Sequence, residues 1–125
     1  MGKFSTDTLR VETADGQHFV LLEGFTFTRD DGCVITVPPG SASDGASTPR
    51  PLWIHLPPFG KYWMAAFLHD HLYRDTDLPK DYCDDTFLQA MRCLGVDEIT
   101  ATTIYEGVHI GGWSAYRDDR ETHTY

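Results

Sequence analysis

The sequence predicts an α+β protein: a small N-terminal antiparallel β-meander, a Pro-rich loop, and a three-helix C-terminal part containing an antiparallel helical hairpin. Three observations lead there. Phe25-Thr26-Phe27-Thr28 alternates at period two and is followed by a turn, Asp30-Asp31-Gly32, and a β-branched run from Cys33 to Val37. The segment SASDGASTPRPLWIHLPP, residues 41–58, is dense in Ser, Gly and Pro. Beyond it, apolar residues recur at helical spacing.

The elements follow in order. Thr8 to Glu12 alternates loosely, and Asp15-Gly16 marks a turn. His18 to Leu22 is a short apolar run, and the 25–28 and 33–37 strands close the meander before Pro38-Pro39-Gly40 ends the sheet. The following loop is long for a structureless connection, and Leu52, Trp53, Ile54 and Leu56 predict that it packs over the helices. Helices are expected over about 61–74, 80–94 and 97–111. Pro79 suits entry into the second, Gly95 its stop, and Asp97 the N-cap of the third. The chain reads as a single domain, 1–125, divided into meander (1–39), loop (40–58), helical part (59–112) and polar tail (113–125).

Composition narrows the functional classes. Three Trp, six Tyr and seven Phe in 125 residues supply one core. The formal net charge of -9 argues against nucleic acid as a partner, because phosphate neutralisation needs a basic footprint. No apolar run approaches the roughly 20 residues of a membrane span, and the N-terminus lacks the apolar segment of a signal peptide. Of three cysteines, Cys83 and Cys93 fall on one helix, about 15 Å apart along its axis and too far to bridge. Free thiols in a reducing compartment are expected, and the absence of CxxC spacing argues against structural zinc.

One constellation carries chemistry. Phe87, Leu88 and Met91 form the apolar face of the second helix, and Asp84 lies on that same face. A carboxylate there needs a partner. On the first helix Tyr62, Ala65, Ala66, His69 and Tyr73 form one stripe. His69 precedes the interhelical link by about as many residues as Asp84 follows it, so an antiparallel hairpin sets them level. A carboxylate that accepts from one imidazole nitrogen fixes the tautomer and raises the basicity of the other, which is the orienter-and-base arrangement of hydrolases. Asp70, next in the chain, is a candidate metal ligand or cation stabiliser, and His71 reads as a surface residue. A buried His-Asp pair also serves as a plain core hydrogen bond. In the loop, Asp44 suits an Asx turn, Ser47 lacks a GxSxG context and suits a turn or cap, and Arg50 can pair with a buried acid. His55, His109 and His123 have no ligand spacing to one another.

The blocks SDGASTPRPLW, PPFGKYWMAAFLHDHLYR and KDYCDDTFLQAMRCLGV occur in the order of a phage and prophage family of unknown function, number thirteen fifty-three, which the chain resembles from about Gly40 to Gly112. The resemblance implies importance for Asp44, Ser47, Pro49, Arg50, His69, Asp70, Tyr73, Asp84, Phe87 and Met91. It also implies a phage-encoded protein located in the host bacterial cytoplasm or incorporated in the virion, with other phage proteins or a host protein as partners. Gly45 and Cys83 depart from the family's common aromatic and Ala. Locally, His69-Asp70-His71-Leu72-Tyr73 resembles the His-Asp-x-x-Tyr helix of secreted A2-class phospholipases. There the His activates water, the next Asp binds calcium and an Asp of a facing helix orients the His; Asp84 takes that last place. The chain has neither their Gly-rich calcium loop nor their paired cysteines, so Asp44 to Ser47 would have to supply metal or oxyanion contacts.

Two functions are therefore expected in competition. One is a hydrolase of esters or amides, with His69 as base, Asp84 as orienter, Asp44, Ser47, Arg50 and Tyr73 in support, and calcium or magnesium at Asp70 and Asp44. The other is a non-enzymatic virion component or host-protein binder in which the same network is structural.

Overall fold

The computed structural model describes residues 2–6, 8–14, 18–43, 61–76 and 78–111. Six short strands precede three helices: β1 (Lys3–Phe4), β2 (Val11–Glu12), β3 (Phe19–Leu21), β4 (Phe25–Thr28), β5 (Val34–Val37), β6 (Ala42–Ser43), α1 (Lys61–Asp75), α2 (Lys80–Cys93) and α3 (Glu98–Gly111). The α+β class holds, and the three helices start and stop within a residue or so of where the sequence places them.

The strands form two antiparallel sheets, ordered β1-β4-β5 and β2-β3-β6, where the sequence predicts a single meander. The hairpin β4–β5 pairs Phe25 with Val37 and Phe27 with Ile35, so all four apolar side chains face the core. Its turn places Gly32 at φ 90°, a left-handed conformation glycine adopts without a Cβ clash. Pro39-Gly40 ends β5 but not the sheet structure: the chain returns as β6, pairing Phe19 with Ser43 and Val20 with Ala42. Strands of two residues carry no periodicity, which is why β1 and β6 are not apparent in the sequence. The turn at Asp15-Gly16, most of the Pro-rich loop and the polar tail lie outside the described residues.

The core joins both layers. Phe4 packs on Phe25 and Phe27, and Trp63 of α1 packs on Phe19 of β3 at 4.8 Å between ring centroids. Met64, Phe67, Leu68 and Leu72 of α1 meet Phe87, Ala90 and Met91 of α2 in one buried cluster. α2 ends in a Schellman motif, with Gly95 N–H donating to Arg92 O, Val96 N–H to Met91 O, and Gly95 at φ 87°. Asp97 caps α3 as expected, its carboxylate accepting from Thr100 N–H at 3.0 Å. Cys33, Cys83 and Cys93 are free thiols. Among the described residues, no helix is long and apolar enough to cross a membrane.

Candidate functional site: a buried His-Asp-Lys network

The hairpin of α1 and α2 brings His69 and Asp84 together. His69 Nε2 donates to Asp84 Oδ1 at 2.9 Å, and both side chains are buried, 1% and 0% exposed. The level argument from the link therefore holds, because antiparallel helices joined by a short connection preserve register. One turn further along α1, the Tyr73 hydroxyl donates to the same oxygen. The sequence stripe His69–Tyr73 thus converges on one carboxylate atom.

The other carboxylate oxygen has a partner not singled out in the sequence. Lys80 Nζ donates to Asp84 Oδ2 at 2.6 Å, and to the carbonyls of Val108 at 3.1 Å and His109 at 2.9 Å. Those carbonyls belong to the last turn of α3, where acceptors lack intrahelical donors and the helix dipole is negative. A buried ammonium satisfies both at once. The signal in the sequence was the i,i+4 spacing of Lys80 and Asp84, which reads as an ordinary surface pair until burial is known.

Burial by itself pushes the Asp84 carboxyl up; the hydrogen bonds from His69, Lys80 and Tyr73 outweigh it and hold the group down at about 2. Asp84 is therefore ionised, and an ionised carboxylate only accepts. The proton between the pair must sit on His69 Nε2, which in the neutral ring leaves the lone pair on Nδ1. The imidazole is held flat against Phe87, 4.4 Å between centroids with 17° between planes, and Tyr73 closes its other neighbourhood at 4.2 Å.

The remaining sequence candidates divide. Asp44, Ser47 and Arg50 lie outside the described residues, as do His55 and His123. Asp70 is half-buried. Among the described residues no group of three or more His, Cys, Asp or Glu could hold a metal ion, so the carboxylates described do not build a calcium or magnesium cage. His71, expected at the surface, is half-buried and bonds Asp75 at 3.1 Å. His109 is not isolated: its Nδ1 lies 3.5 Å from Asp84 Oδ2 and 3.7 Å from Asp81 Oδ1. One further residue stands out. Tyr62 is buried, yet its hydroxyl has no hydrogen-bond partner among the described residues.

Fold and site together define a small α+β protein whose helices are tied through one buried carboxylate–ammonium pair, Asp84 and Lys80. The model of the family described as protein of unknown function (DUF1353) matches residues 19–108, and the chain belongs to that family. The matched region runs from β3 to the last turn of α3 and contains His69, Tyr73, Lys80, Asp84 and Val108, with His109 one residue beyond it. No curated protein and no solved structure matches the chain.

Proposed function

We propose that this chain is a phage-encoded hydrolase of esters or amides in which His69 is the general base and Asp84 its orienter. The observation that carries this reading is the bond from Nε2 to a carboxylate held ionised at about 2, which fixes the imidazole so that Nδ1 is the proton acceptor. In the proposed step Nδ1 takes a proton from water while the water oxygen bonds to the substrate's carbonyl carbon. The tetrahedral intermediate then expels the alkoxide or amine, which takes the proton back from Nδ1. The His-Asp-x-x-Tyr likeness to A2-class phospholipases supports the same division of labour.

A second reading rests on a different observation. His69 is 1% exposed and Asp84 is fully satisfied by protein donors, as befits a network that fastens helices in a virion component or host-protein binder.

His69→Gln separates the two. Under the hydrolase reading the variant melts within a few degrees of wild type, while turnover of a p-nitrophenyl ester falls by about 10²-fold or more, the usual contribution of a general base. A large drop in melting temperature with no wild-type turnover to lose would overturn the hydrolase and favour the structural reading. Reaction of His69 with diethyl pyrocarbonate in the folded protein supplies an independent check, since a base that meets water must also meet the reagent.

A further inference from the structure

Five buried polar side chains of α1 and α2, His69, Tyr73, Lys80, Asp84 and Thr86, all make hydrogen bonds. Tyr62 does not. Tyr62 is 4% exposed and its hydroxyl has no partner among the described residues, which forfeits the hydration of the phenol without replacing it there. His109 Nδ1 is also without a hydrogen bond, but that ring is 40% exposed and has a carboxylate at 3.5 Å. Tyr62 has neither relief, so among the described residues its hydroxyl is the group that calls for a ligand.

Its position links it to His69. The two residues lie two turns apart on the same face of α1. Both rings pack on Phe87, Tyr62 at 6.3 Å and His69 at 4.4 Å between centroids. Burial and then the charge of Asp70 push the phenol's ionisation far up, so the group remains a neutral O–H donor at physiological pH. The same Asp70 charge repels an anionic acceptor. An uncharged carbonyl oxygen meets both conditions.

We propose that Tyr62 is a substrate-binding residue whose hydroxyl donates to the carbonyl oxygen of a neutral ester or amide bound beside Phe87 and His69. This inference rests on the hydrolase reading and narrows it: the acyl group must be uncharged, and a free carboxylate is excluded at that position.

Tyr62→Phe removes the hydroxyl and keeps the ring. The probes are p-nitrophenyl butyrate for turnover and its ketone isostere, with a methylene in place of the ester oxygen, for binding without reaction. The expected result is an unchanged or higher melting temperature, with ketone binding and KM both weakened about tenfold, the value of one hydrogen bond into a dry site. A lower melting temperature with unchanged ketone affinity would show a structural water as the partner and overturn the proposal. Ester turnover that depends on His69 but not on Tyr62 overturns this inference and leaves the hydrolase standing. Ketone binding that depends on Tyr62 in a protein without turnover does the reverse. Absence of both binding and turnover overturns the two together.

Discussion

At the scale of single residues, Asp84 decides most of what the site can do. It is the acceptor for an imidazole, a phenol and an ammonium, and its carboxyl falls from an ordinary 3.8 to about 2 in the folded chain. The sign of the linkage follows. A depressed carboxyl contributes stability above its unfolded value, and that contribution is lost as pH falls from about 4 to about 2. The shift is worth about 2 kcal/mol. Urea titrations at stepped pH should therefore show stability falling across that window, and Asp84→Asn should flatten this part of the curve. An Asp84→Asn protein with the wild-type acid limb would place the acid-sensitive group elsewhere. The pair His69–Asp84 was legible in the sequence because two periodicities and a short link fix where both residues fall. Lys80 was not, since its role depends on the end of α3 arriving over it, a tertiary event with no local signature. Tyr62 was legible as a member of the His69 stripe, but its lack of a partner is a property of the packed interior alone.

At the scale of elements, the β4–β5 hairpin is held to α2 by Arg29 and by the Asp30 N–H, which donates to Gln89 Oε1 at 2.9 Å. Arg29 follows β4 and is 9% exposed. Its guanidinium donates to Asp85 at 3.1 Å, to Tyr82 O at 3.4 Å, to the Thr86 hydroxyl and to Asp31, and it lies 3.9 Å over the Tyr82 ring. Only a planar fork serves acceptors in several directions while stacking on an aromatic face. Arg29→Lys keeps the charge but loses the fork, and should cost about 1–3 kcal/mol, with faster amide exchange confined to the hairpin 25–37. Exchange that rises equally in α3 would contradict a local tether. The sequence showed the strands of this hairpin and its turn. It did not show which helix the hairpin rides on, because an Arg beside a turn is as compatible with solvent as with Asp85.

At the scale of the whole molecule, the Asp84 network is where three helices meet. His69 and Tyr73 bring α1, Asp84 and Lys80 belong to α2, and Lys80 reaches the closing carbonyls of α3. Two independent fastenings would let α3 detach alone; an Asp84–Lys80 pair, with α1 on the carboxylate and α3 on the ammonium, does not. Lys80→Met tests this. The thioether fills the stem's volume but leaves Asp84 with a buried charge and no cation, and leaves two carbonyls of α3 without their donor. Removing one member of a buried ion pair costs about 3–5 kcal/mol, most of it the stranded charge. Lys80→Met should therefore destabilise by that order. The double variant Lys80→Met with Asp84→Asn should recover part of the loss, because no charge is left buried. Since all three helices depend on the Asp84–Lys80 pair, exchange of the slowest amides in α1, α2 and α3 should accelerate together in the single variant, in step with the loss of global stability. Acceleration confined to α3, with α1 and α2 still protected, would show that the last helix docks as a unit of its own and that the network joins only the first two.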